Sequence, residues 1–106
     1  MEELAARSRE QYRLQLLAAA RRHNRYPRLA RENNWEGEVQ VSVTVAADGS
    51  ASLRIKDGSG HPVLDRQALE MFKRAQAAVP VPSALRGKEF SLELKARYRL
   101  QDQVSG

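Results

Sequence analysis

The sequence predicts an α+β fold: a three-stranded antiparallel sheet of order 2-1-3 with helices packed on one face, plus an additional N-terminal amphipathic helix. Three observations predict it. Apolar residues alternate with polar ones in three segments, at 38–46, 51–56 and 90–100, which is the period of a strand with one wet face. Between the second and third segments the apolar residues recur every three or four positions, the period of a helix. The first two segments are joined by Ala47-Asp48-Gly49-Ser50, and an Asp-Gly pair between alternating runs marks an antiparallel hairpin. With 106 residues and 42% hydrophobic content, the chain supplies one core and not two.

Glu3 to Arg22 is built from strong helix formers, with Leu4, Ala5, Tyr12, Leu16, Ala19 and Ala20 on one stripe and most arginines off it. An amphipathic helix is expected over residues 1–22, separate from a domain over 23–106. Tyr26-Pro27 interrupts it, because the residue before a proline is pushed out of the helical region, and Pro27 then opens a short helix to about Asn33. Val39, Val41, Val43 and Val45 face inward from the first strand, against Gln40, Ser42 and Thr44. Ala51, Leu53 and Ile55 repeat that pattern in the second strand.

Asp57-Gly58-Ser59-Gly60 is a loop, and Pro62 sits naturally in the first turn of a helix whose inward stripe is Leu64, Ala68, Met71, Phe72, Ala75 and Val79. Pro80-Val81-Pro82 ends that helix, since neither proline donates a backbone hydrogen bond. Arg86-Gly87-Lys88 then turns the chain into the last strand.

The order 2-1-3 follows from where each strand tolerates exposure. The order 1-2-3 would place the most apolar and least charged strand at an edge, where a sheet is prone to aggregate. The valine strand is therefore expected in the middle, with both helices over one face and the third strand at an edge. In that third strand Phe90, Leu92, Leu94, Ala96, Tyr98 and Leu100 point one way and Ser91, Glu93, Lys95, Arg97 and Arg99 the other. An edge strand carries a row of unpaired N–H and C=O groups, which another extended chain can complete. The plainer reading is a final strand that merely closes the sheet.

Eighteen Lys and Arg stand against 13 Asp and Glu, but the excess is confined: residues 1–34 hold eight Arg and four Glu, and residues 35–106 hold ten basic and nine acidic residues. There is no cysteine, which excludes disulfides and thiolate chemistry and leaves the redox compartment open. No apolar run approaches the roughly 20 residues needed to cross a bilayer, and no signal-peptide core follows Met1, so a soluble chain is expected. His23 and His61 lie far apart without ligand spacing, and a metal site needs further ligands. Ser59 between two glycines is a flexible turn, and the glycines match no phosphate-binding fingerprint. No metal, no cofactor and no enzymatic activity are expected.

His23-Asn24-Arg25-Tyr26-Pro27, Trp35-Glu36-Gly37-Glu38-Val39, Asp48-Gly49, Gly58-Ser59-Gly60 and Leu64-Asp65-Arg66-Gln67-Ala68-Leu69 occur in that order. Together, over about residues 23–100, they resemble the TonB C-terminal domain family. No one of these motifs is specific; their order and spacing carry the resemblance. It implies a periplasmic domain of an energy transducer that grips the TonB box of outer-membrane transporters and relays force from an inner-membrane ExbB/ExbD-type motor driven by the proton gradient, for uptake of siderophores or vitamin B12-type compounds. Members usually carry a transmembrane helix and a proline-rich spacer, and neither is present in these residues, which implies an excised piece of an inner-membrane-anchored protein.

The resemblance assigns partner binding to Phe90, Ser91, Leu92, Glu93, Leu94, Lys95, Ala96, Arg97, Tyr98, Arg99 and Leu100, mainly through backbone groups. By position it adds His23, Asn24, Arg25, Tyr26 and Pro27. Some members have glutamine and proline where this chain has His-Asn-Arg, and these residues equally suit the cap of the preceding helix. Tyr26 and Trp35 suit packing better than recognition. The first helix packs on the core, mediates a homodimer or is a stub of the spacer. The rival class is nucleic-acid binding along the arginine-rich helix, but the outward strand residues include no aromatic ring to stack a base, so no nucleic acid is expected. A TolA-type envelope domain is a third alternative, which the Tyr-Pro and Leu-Asp punctuation argues against.

Overall fold

The chain, as a computed structural model, is described over residues 2–103. Its elements are α1 (Glu2–Arg21), α2 (Arg28–Glu32), β1 (Gly37–Val45), β2 (Ala51–Asp57), α3 (Pro62–Ala78) and β3 (Phe90–Tyr98), with 3-10 turns at Ser83–Leu85 and Leu100–Gln103. The three strands form one antiparallel sheet in the order β2-β1-β3, as expected. No described helix is long and apolar enough to cross a membrane.

Burial explains the order. Val39, Val41, Val43 and Val45 are all withdrawn from water, which only a central strand under a helix layer permits. On the other strands burial is partial: Leu94, Ala96 and Tyr98 of β3 are buried, while every residue of β2 is half-buried or exposed. Ile55, expected to face inward, is exposed. The register of β2 shifts between Gln40 and Val41, so that Ile55 pairs with Val41 and Asp57 with Gln40, and an irregularity of that kind bends an edge strand away from its neighbour. The hairpin closes where Gly49, at φ 93°, takes the left-handed conformation and the Asp48 carboxylate accepts the Ser50 amide at 2.9 Å.

The helices lie on one face. α3 presents Leu64, Ala68, Met71, Phe72 and Ala75 to the core. α1 contributes Tyr12, Leu16 and Ala20 to the same cluster, together with the buried Ser8, a strict four-residue repeat. Leu4, expected on that stripe, is 58% exposed, because it lies a full turn before the repeat begins. α1 also has the charges a helix favours at its ends, Glu2 and Glu3 in the first turn and Arg21 in the last. Arg7 pairs with Glu3 at 3.0 Å one turn apart.

Two further expectations need correction. β3 ends at Tyr98, so Arg99 and Leu100 lie outside the strand. The Leu100 amide donates to the Glu36 carboxylate at 2.6 Å, which draws the chain into a turn in place of the ladder. The alternation over 90–100 also predicts a third strand longer than the first, and instead β1 and β3 each have nine residues.

Because Leu16 is fully buried and Leu14 is 53% exposed on the same helix, Leu16→Ala is expected to cost about 2–5 kcal/mol. Leu14→Ala is expected to stay within roughly 0.5 kcal/mol. Urea denaturation monitored by circular dichroism checks both, and a single transition shifted by Leu16→Ala would show that α1 unfolds together with the sheet.

Candidate functional site

β3 pairs with β1 from Phe90↔Val45 to Tyr98↔Gly37 without a register break, and among the described residues it has no strand on its other side. In an antiparallel edge strand every second residue directs its N–H and C=O away from the sheet. β2 is the other edge, but it has seven residues and a register shift against β1. A short or irregular edge pairs poorly with a foreign strand. The regular nine-residue border of β3 is therefore the better template.

The polar face of the sheet holds β3 in place without covering that border. Glu93 accepts from Gln40 and from Lys56 Nζ, the latter at 2.8 Å, and so links all three strands. The hydrogen bond that Lys56 donates to Glu93 holds its ammonium above the usual pKa. Arg97 pairs with Glu38 at 3.2 Å, and the hydroxyls of Thr44 and Ser91 meet at 3.2 Å. These exposed contacts each contribute little to stability and serve mainly to set register across the sheet.

On the helix side the edge opens onto a groove of about 230 Å³ between α1, α3 and β3. Ala20, Met71, Phe72 and Ala96 form its apolar interior. Leu17, Arg21 and Asn24 stand on the α1 side, and Lys95 and Arg97 on the strand side. Of the segment before Tyr26, then, Asn24 reaches the edge, whereas His23 and Arg25 line a separate depression against Gln67, Glu70 and Arg74 of α3. Leu17 and Arg21 were absent from the sequence-based candidates. The signal for them is their place one residue after the buried Leu16 and Ala20, which turns Leu17 and Arg21 to the flank of the buried row.

Tyr26 and Tyr98 are turned inward. Their rings meet edge to face at 5.7 Å, and the Tyr26 hydroxyl donates to the Trp35 carbonyl. Burial, and then the negative charge of Glu36, raise the Tyr26 pKa. Pro27 precedes α2 in an extended conformation. Close by, the Trp35 ring stacks on His61 at 5.1 Å. Asp65 accepts the Ser59 amide at 2.8 Å and its hydroxyl at 2.7 Å, tying the 57–61 loop to the first turn of α3. A Cβ on Gly37 would stand 2.7 Å from the Ser59 Cβ, so this approach requires glycine. All of the motifs but Asp48-Gly49, which lies in the turn at the other end of β1, thus send a residue to one corner, where β1 begins and β3 ends.

The profile of Gram-negative bacterial TonB protein C-terminal domains matches residues 22–100. The chain belongs to the TonB C-terminal family. This TonB C-terminal domain is 34% identical over 73 residues to protein TonB of Helicobacter pylori, an alignment covering 68% of this chain and 26% of that protein. It is 32% identical over 91 residues to protein TonB of Haemophilus influenzae, covering 85% of this chain and 33% of that protein. The chain therefore spans a quarter to a third of the length of these relatives. The NMR solution structure of the Helicobacter pylori TonB C-terminal domain superposes with a TM-score of 0.73 at 30% identity, covering 85% of this chain and 81% of that one. The family match begins one residue after α1 ends.

Tyr98 gives a pH test of this corner. Its hydroxyl is buried without a hydrogen-bond partner among the described residues, and burial pushes its pKa up to about 12. An unfolded tyrosine ionises near 10. Between those values the unfolded chain has released a proton that the folded chain retains, so stability falls as pH rises through that window, by at most about 1.4 kcal/mol per unit. Tyr98→Phe is expected to leave stability at pH 7 equal or higher and to remove this part of the alkaline decline. Denaturation midpoints measured from pH 8 to 12 check it.

Proposed function

We propose that this domain is the periplasmic gripping end of an energy transducer, and that it binds the TonB box of outer-membrane transporters by adding the box as a fourth strand beside β3. The observation that carries this reading is the regular, unpaired border of β3, in a chain whose family is that of TonB C-terminal domains. The role is mechanical coupling and not catalysis. A motor of the ExbB/ExbD type in the inner membrane supplies proton-gradient energy through parts of the protein beyond these residues, and siderophores or vitamin B12-type compounds are the cargo.

Strand addition suits such a role. Each backbone hydrogen bond contributes only about 0.5–1.5 kcal/mol net, so the ladder of a box of some five residues by itself supports binding weaker than micromolar once its ordering cost is subtracted. Pulled along the strand direction, these bonds share the load and break together, so a modest equilibrium affinity is compatible with a firm grip. Release then remains quick when the load is gone. Backbone recognition also suits a partner class in which box sequences vary, because alternate side chains of Phe90, Leu92, Leu94, Ala96 and Tyr98 are committed to the core side and the edge offers main-chain groups.

Amide exchange by NMR tests the reading directly. In the free domain, alternate amides between Ser91 and Arg97 are expected to exchange fast while their neighbours, bonded to β1, are protected. A synthetic TonB-box peptide is expected to protect the fast set and to leave β2 unchanged. Protection appearing on β2 instead, or fast-set amides that stay fast at saturating peptide, would falsify strand addition at β3.

A further inference from the structure

We infer that α1 is the floor of the fourth-strand position and selects the bound segment, favouring an extended peptide that presents an apolar side chain and, two residues away, a carboxylate to the helix layer. This rests on the strand-addition reading and concerns a helix outside the matched family residues.

The placement follows from how the layers meet. α3 rests mainly on β1 and β2, and α1 lies beside α3 against β3. Packed helices are about 8–10 Å apart, and neighbouring strands about 4.8 Å, so one helix spans roughly two strand positions. α1 therefore lies beneath β3 and the position next to it. The two elements also run in the same general sense. Tyr12 meets the Phe90 ring at 6.1 Å near one end of β3, and Ala20 and Arg21 share the groove with Lys95 to Arg97 near the other.

A strand added beyond β3 directs every second side chain toward α1. The pair that meets it is Leu17 and Arg21, which line the groove. Leu17 is half-buried at the groove wall, whereas Leu14, two residues from both Tyr12 and Leu16, lies on the far side of the helix. Leu17 and Arg21 are four residues apart, a rise of about 6 Å along a helix. Side chains on one face of a strand are spaced by about 6.6 Å. One pair of helix-facing ligand residues therefore matches one pair of floor residues.

Charge decides the chemistry of the second position. Among the described residues no carboxylate pairs with Arg21, and Arg22, Arg25 and Arg74 lie around the adjoining depression with Glu70 as its acidic member. An anionic side chain entering there meets an excess of cations, and a cationic one is repelled. On the polar face Lys56 and Arg97 have carboxylate partners and Arg54 and Lys95 have none among the described residues, so it is R21Q that isolates the helix side.

The test uses the full chain, a seven-residue TonB-box peptide carrying one carboxylate side chain, and the same peptide with that carboxylate changed to the amide. Binding is followed by fluorescence anisotropy and by protection of β3 amides. L17S and R21Q alter side chains at the groove wall and leave the fully buried row of α1 intact. L17S is expected to weaken both peptides about fivefold, the loss from one partly buried leucine contact. R21Q is expected to weaken only the carboxylate peptide, by about threefold, and less at high salt. Unchanged affinity in both variants, with β3 amides still protected, overturns the role of α1 and leaves strand addition standing. Failure of the peptide to protect β3 amides in the unsubstituted domain overturns both.

Discussion

The complete withdrawal of Val39, Val41, Val43 and Val45 from water is the constraint on which the rest of the structure depends. Four β-branched side chains on one face of a nine-residue strand favour extended backbone and leave that strand no stable place except the middle of a sheet beneath a covering layer. Both neighbours of β1 then become edges. α3 covers the valines toward β2, and α1 covers what α3 leaves open toward β3. The open border of β3 is thus a consequence of the core: with only three strands, a buried centre means two exposed sides.

Which side is usable is decided by smaller features. The register shift between β1 and β2, and the exposure of Arg54, Ile55, Lys56 and Asp57, make one side short and irregular. The other is held straight by the ladder to β1, by Glu93 bridging to Gln40 and Lys56, and by a corner in which Tyr98 packs on Tyr26 and Leu100 is captured by Glu36. At that corner Tyr26, Trp35, Gly37, Ser59 and Asp65 from the motifs that resemble the TonB C-terminal family come together. Gly37 against Ser59, Asp65 on the 57–61 loop and Trp35 on His61 act on backbone geometry. They anchor the end of β3 from within, and among the described residues no strand lies on its outer border.

The three strands, the hairpin and the helix after Pro62 were legible because each depends on local chemistry: alternation, an Asp-Gly turn, a proline at a helix start. The order β2-β1-β3 was legible for one further reason, that an all-valine face cannot lie at an edge. Leu4 and Ile55 were misplaced because periodicity says which residues share a face and not how far along the element the covering layer extends. Leu100 was assigned to the strand because it continues the alternation, and only the Glu36 carboxylate, distant in sequence, ends the ladder before it. Asn24 was legible as a candidate, but its parting from His23 and Arg25 reflects how the chain leaves α1.

By itself, then, the amino-acid sequence determined the elements, their inward faces and the existence of an open border, since all three follow from the period of apolar residues and the turn chemistry between them. Only the tertiary structure decided that α1 shares the core with the sheet and builds the groove beside β3, bringing Leu17, Arg21 and Asn24 to the strand. The physical reason is that an amphipathic helix carries in its sequence the need to bury a stripe but not the identity of the surface that buries it. That surface exists only once β1, β3 and α3 have assembled.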